Sequence, residues 1–177
     1  MSAAENAAAA ELHVHRIIGP TILMGDGSYF DYEAPETTTM TIEDYAWGLA
    51  ANNRFCGQTW WDGRRCLYNV CQHVVLLAEQ MLRDGHPPRA AFGGLGHESG
   101  EVPWGDLSGP AKPLVPDYKA REKLADTAIR AHFGFAIDDP DLVKAYDIRM
   151  LATEKRDLMP QGHGHQWKWT EGFEPFD

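Results

Sequence analysis

The strongest constraint on this fold is a run of apolar residues at helical spacing, closed at both ends by start and stop signals. In residues 69–88, Val70, Val74, Leu77, Ala78 and Met81 recur at intervals of three and four, the spacing that lines one face of an α-helix. Asn69 stands at the N-cap position, and Gly85 with Pro87 and Pro88 ends the run. Three other stretches repeat the pattern. Thr41, followed by Ile42, Glu43 and Asp44, resembles a capping box and opens a stripe of Tyr45, Ala46, Leu49 and Ala50 that runs to about Asn53. Asp117 is a candidate cap for a helix through Phe133, with Leu124, Ala125, Ala128, Ile129 and His132 along one side and Gly134 as its stop. Asp139 and Pro140 open a last helix striped by Leu142, Val143, Tyr146, Met150 and Leu151, which ends before Pro160.

Stripes of this kind must bury themselves against one another, so the expected class is all-α, a helical bundle. The segment from Pro88 also begins like a helix, although Gly93, Gly94, Gly96 and Gly100 each cost about 1 kcal/mol against alanine in a helix interior. The one strand signal taken from the sequence lies at residues 21–32, where Gly-Asp-Gly separates two apolar segments and predicts a short N-terminal hairpin.

A chain of 177 residues, 44% hydrophobic, has room for one domain with a sizeable core. The net charge of −10, with no basic run longer than Arg64-Arg65, argues against duplex nucleic acid as a partner. A small phosphorylated substrate stays open, because a cation and a few arginines make a cleft locally positive on an acidic protein. Residues 1–16 read as a disordered tail: they lack a basic start, and Glu5 and Glu11 interrupt the alanines, so neither an export signal nor a membrane span fits. No other stretch reaches the roughly 18 apolar residues a span needs, and no membrane association is expected. Cys56, Cys66 and Cys71 form no even framework, which favours reduced thiols and a cytoplasmic location.

Polar residues inside the apolar stripes carry the chemical signal. Asp147 lies four residues after Val143 and four before Leu151, and His73 lies three after Val70 and four before Leu77, so both should face inward. His97 and Glu98 follow as an adjacent pair. Two imidazoles and two carboxylates from separate segments suit one divalent cation such as zinc, manganese, cobalt or iron. The same residue types also serve as satisfied core histidines and salt-bridge partners, and spacing alone leaves both readings open. The pairs His13/His15 and His163/His165 lie in the expected tails and are set aside.

Four runs taken in order, ANNRFCGQT, YNVCQHVVLLAEQML, GHESGEVPWGDLSGPAKPLVPDYKARE and AYDIRMLATEKRDLM, resemble the HD-domain phosphohydrolases of the 5′-deoxynucleotidase type, including the related phage deoxyadenosine triphosphatases. The resemblance implies an HD domain over residues 17–160, followed by a C-terminal tail at 161–177. It implies metal ligands at His73, His97, Glu98 and Asp147, with magnesium as a candidate second ion. Glu101 and Asp106 fall at the family's acidic catalytic positions, and Arg54 falls at its phosphate-contacting arginine. Lys112, in the same run as Glu101, joins the candidate substrate-binding residues. Tyr68 and Gln72 occupy familiar places, read here as helix packing and support of the site. The implied activity is hydrolysis of a deoxynucleoside mono- or triphosphate by a metal-activated water, in a homo-oligomer.

Two departures carry expectations of their own. The family's His-Asp pair is His97-Glu98 here, and the glycines at 93, 94 and 96 are read as giving the longer carboxylate room to fold back. The change also motivates a rival reading, a noncatalytic nucleotide-binding or scaffold protein. The insertion WWDGRRCL places Trp60 and Trp61 as candidates to stack on a base and Arg64 and Arg65 as candidates to meet phosphates. A plain surface loop is the alternative.

Overall fold

Helix α2 (Val70–Arg83) lies at the centre of the molecule because it is apolar on more than one side: Val70 and Val74 enter one buried cluster, while Leu77, Ala78 and Met81 enter another. Fully burying side chains such as Leu77 and Met81, both 0% exposed, stabilises the fold by about 1.5–3 kcal/mol each. The start of the helix is fixed by a reciprocal pair in which Gln72 N–H donates to the Asn69 side chain and Asn69 N–H donates to the Gln72 side chain. The computed structural model describes residues 19–160 and 167–177; the expected N-terminal tail and the four histidines at 13, 15, 163 and 165 lie outside them.

Around α2 stand α1 (Ile42–Ala51), α3 (Pro88–Leu95), the short α4 (Glu101–Trp104), α5 (Pro116–Phe133) and α6 (Pro140–Leu158). Among the described residues the chain is therefore mostly helical, with two small hairpins. Strands β1 (Thr21–Leu23) and β2 (Tyr29–Asp31) pair antiparallel with Ile22 opposite Phe30, at the expected place. The second hairpin corrects the sequence reading. Strands β3 (Thr59–Trp61) and β4 (Arg64–Cys66) form within the segment read as an aromatic insertion, with Trp60 opposite Arg65. Asp62 and Gly63 at its tip have φ of 49° and 73°, the left-handed pair that a tight two-residue hairpin turn requires and that Asp-Gly supplies.

Asp139 caps α6 through the Leu142 N–H, and Gly134 closes α5 in the left-handed conformation, both as the sequence predicts. Helix α5 begins at Pro116 instead of being capped by Asp117, because proline at N1 presets the helical φ. Its inward face is also shifted: Ala125, Asp126 and Ile129 are buried and Leu124 is 60% exposed. The glycines of α3 serve close packing. A Cβ on Gly93 would stand 2.5 Å from the Ala136 carbonyl oxygen, and one on Gly96 would stand 2.4 Å from the Phe135 Cβ. They let residues 135–137 cross α3 at backbone distance, a packing role that the sequence reading did not assign to them.

Near the C-terminus, Phe176 is buried beside Tyr146, with the Arg149 guanidinium over its ring. Phe176 N–H donates to Thr153 Oγ1, and Arg156 donates to the Phe176 carbonyl, so this segment straps the outer side of α6. No helix among the described residues is long and apolar enough to cross a membrane.

Candidate metal centre

Each residue of the centre is placed by a local feature of the chain. Helix α1 is tied to the start of α2 by the Asn53–Asn69 bridge and by Val70 N–H donating to the Asn52 carbonyl. Immediately afterwards Arg54 N–H donates to Tyr68 O, which sets Arg54 beside the start of α2, where it shares Glu154 with His73. Beyond it, Phe55 and Cys56 both hold φ near +55°, a conformation that costs a non-glycine residue roughly 1–3 kcal/mol and is sustained only where surrounding structure holds it. His97 and Glu98 sit on irregular backbone after α3, where the Gly96 contact with Phe135 turns the chain back. Asp147 projects from the middle of α6.

Among the described residues, His73, His97, Glu98 and Asp147 offer ligand atoms that all lie within 4.8 Å of one another. Nε2 of His73 is 3.2 Å from Nε2 of His97 and 3.4 Å from Asp147 Oδ1. Nε2 of His97 is 3.5 Å from Glu98 Oε1 and 3.8 Å from Asp147 Oδ1. An ion with bonds of about 2.0–2.1 Å to nitrogen separates its tetrahedral ligands by roughly 3.3–3.4 Å, so these edges match a single coordination sphere. The structure brings together the four residues singled out in the sequence, and Glu98 points into the group.

The second nitrogen of each imidazole is already engaged. His97 Nδ1 is 2.6 Å from the Gly94 carbonyl, which can only accept, so Nδ1 carries the proton. His73 Nδ1 is 2.6 Å from Glu154 Oε1, the carboxylate partner typical of metal-bound histidines. Both Nε2 atoms are thereby left as lone pairs aimed at the same small volume, beside two carboxylates. A cation or a proton has to lie between them, and the donor set of two imidazole nitrogens and two carboxylate oxygens fits a borderline-to-hard divalent ion.

With no cation bound, the electrostatics supply the proton. Burial and Arg54 disfavour charge on His73, but Glu154 and Asp147 outweigh them and push it up to about 9. Burial opposes ionisation of Asp147, yet hydrogen bonds from His73 and His97 hold its carboxyl well below the usual range. Arg54 is kept charged against burial by Glu154, Glu98 and Asp147; its Nη2 donates to Glu154 Oε2 at 3.0 Å, and its Nη1 lies 3.7 Å from Glu98 Oε1.

Two further acids, Glu101 and Asp106, lie beside the four. Glu101 is 3% exposed, and its Oε2 is buried without a hydrogen-bond partner. Burial, with Glu98 and Asp106 adding to it, raises the Glu101 carboxyl, and burial with Glu98 raises Asp106 against the pull of Arg54. Lys112 reaches this edge, 3.7 Å from Glu101 Oε1 and 3.0 Å from Glu122 Oε1. The residues of the second hairpin have other partners: Arg65 stacks on Trp60 and donates to Gln58, while Trp61 and Arg64 are exposed. Trp60 lines a separate open depression of about 360 Å³ with Asp62, Gly63, Arg156, Asp157 and Met159.

Glu154 is the site residue that the sequence reading missed. It lies seven residues after Asp147 and four after Met150 on α6, so the stripe that turned Asp147 inward also carried its signal.

No family model matches the chain. The uncharacterized protein YfdR of Escherichia coli (strain K12) is 34% identical over 146 residues, which cover 82% of this chain and 76% of that protein. An identity that high, sustained along most of both sequences, means that the chain belongs to the same family as YfdR.

Proposed function

We propose that the protein is a metal-dependent phosphohydrolase of the HD type, with residues 17–160 as its domain and a nucleoside or deoxynucleoside mono- or triphosphate as its substrate. The observation that supports it most is the convergence of two Nε2 lone pairs with Asp147 and Glu98 beside a buried arginine. Zinc, cobalt, manganese or iron would be held by His73, His97, Glu98 and Asp147, with magnesium as a candidate second ion. Bound there, the ion supplies Lewis acidity that acidifies water and polarises a phosphoryl oxygen.

The protein's own residues do the rest. Arg54 neutralises charge developing on the phosphoryl group. Glu101, buried with one oxygen unpaired, holds or delivers a proton to the attacking or departing oxygen, and Asp106 takes part in that relay or orients Arg54. Lys112 adds positive charge at the Glu101 edge. Trp60, Trp61, Arg64 and Arg65 remain candidates for the base and outer phosphates, from the surface hairpin. The location proposed is the cytoplasm, and the assembly a homo-oligomer, as the resemblance implies.

One observation favours a second reading, a noncatalytic nucleotide-binding protein: Arg54 already stands between Glu98 and Glu154, leaving less of its charge for a substrate. The test is metal content of the purified protein together with phosphate, pyrophosphate or triphosphate release from a panel of deoxynucleotides, for wild type and Glu98→Asp. Metal-dependent release by the wild type establishes the hydrolase. Nucleotide binding without turnover, with release only from Glu98→Asp, establishes the binding protein.

A further inference from the structure

Glu154 belongs to no part of the mechanism above, yet its side chain is only 2% exposed and both its oxygens are committed to site residues. Oε1 lies 2.6 Å from His73 Nδ1, and Oε2 accepts from Arg54 Nη2 at 3.0 Å. We propose that Glu154 is a positioning residue for two halves of the site at once, the metal half through His73 and the phosphate half through Arg54; this rests on the metal-dependent reading.

The other carboxylates cannot take its place. Asp147 approaches His73 at Nε2, the ligand side, at 3.4 Å, and Glu98 approaches Arg54 at Nη1. Among the described residues Glu154 alone engages Nδ1 of His73, where a carboxylate acceptor holds the ring proton, keeps Nε2 turned to the ligand side and stops the ring from turning. The same group fixes Arg54, whose Nε is buried without a partner, so that one edge of the guanidinium is tied back and the other faces the ligands. An ion pair this deep adds little net stability over a well-packed apolar pair. Its value is geometric, since a metal and a phosphate must be held at a fixed separation for in-line attack.

The test uses the full chain, first stripped of metal. Co²⁺ affinity is measured by competition with a chelator, and inorganic phosphate affinity is then measured at saturating Co²⁺ from the shift of the cobalt absorption band. Glu154→Gln is expected to weaken Co²⁺ binding roughly 10- to 100-fold, the usual effect of losing a ligand's carboxylate partner, and also to weaken phosphate binding at saturating Co²⁺. Arg54→Gln is expected to weaken phosphate binding alone. A structural role would not alter the third readout: nitrogen-15 NMR of the metal-free wild type should show His73 with a strongly hydrogen-bonded Nδ1 proton far downfield, absent in Glu154→Gln. If that variant does not fold, Glu154→Asp is read in the same way.

A wild-type affinity for either Co²⁺ or phosphate in the folded variant overturns the proposal, as does a wild-type His73 without the Nδ1 proton signal. A wild type that shows the signal but takes up no Co²⁺ overturns the metal-dependent reading and this one with it. Cobalt binding that is unaffected by the variant overturns this one alone.

Discussion

Nε2 of His73 and Nε2 of His97 stand 3.2 Å apart, each with its partner nitrogen bonded elsewhere. At that distance the two nitrogens need a shared proton or a cation between them, and a divalent ion can take the proton's place. Asp147→Ala should therefore abolish binding of a divalent ion, read by elemental analysis after purification, and should remove the rise in melting temperature that the ion gives the wild type. With ion at 1,000 times its Kd that rise corresponds to about 4 kcal/mol. Equal metal content in wild type and variant would show that the four residues are not a ligand set.

Gly96→Ala tests how His97 and Glu98 are aimed. The added Cβ would meet Phe135 at 2.4 Å, and such overpacking costs typically 1–3 kcal/mol. Urea denaturation should show a loss in that range, with weakened metal binding because the turn carrying both ligands must shift. A neutral substitution would mean that residues 135–137 do not press on α3.

The second hairpin has its own check. Gly63 has φ of 73°, so Gly63→Val should cost about 1–2 kcal/mol in denaturant unfolding, the penalty of left-handed backbone for a side-chain-bearing residue. Hydrolysis of the smallest substrate should be unaffected if the hairpin lies apart from the reacting centre.

Acid sensitivity should report on Tyr146 and Asp84. The Tyr146 hydroxyl donates to Asp84 at 2.6 Å, and that bond, helped by Gln80, holds the Asp84 carboxyl below its usual value. A depressed folded-state pKa stabilises above the unfolded value near 4 and stops doing so as pH falls through the folded one. Melting temperatures of wild type and Tyr146→Phe should differ most at neutral pH and converge below about pH 4. A constant gap across pH would mean that the bond does not favour the ionised carboxylate.

Phe176→Ala should destabilise by about 3 kcal/mol or more, as large-to-small changes at a buried ring do, since Phe176 is 4% exposed. Thermal unfolding reads it directly, and an unchanged midpoint would show that the strap over α6 adds nothing.

How far the sequence was legible follows from range. His73 and Asp147 were visible because each interrupts a local apolar stripe, and stripes are written in one helix at a time. Asn69, Asp139 and Gly134 were visible because caps act within a turn of the residues they serve. The purpose of Gly93 and Gly96 was not, because it depends on residues 135–137 arriving from elsewhere in the chain. Glu154 escaped although it lies on the same stripe as Asp147, because a buried glutamate is tolerable only with the partners that Arg54 and His73 bring from elsewhere in the chain. The β3–β4 turn carried a strong local signal in Asp62-Gly63, but the sequence reading weighed only base stacking against a plain surface loop and named no hairpin there.

The candidate ligands of the centre come from α2, the turn after α3, and α6, and the pairing of His73 with Glu154 spans 81 residues. Before those segments dock, these four residues form no arrangement that could hold an ion, so whatever free energy an ion contributes through them goes to the assembled state alone. An ion here would work as a removable cross-link: like a disulfide closing a long loop, it would slow the separation of segments far apart in sequence, and unlike a disulfide it could be withdrawn by a chelator without breaking a covalent bond.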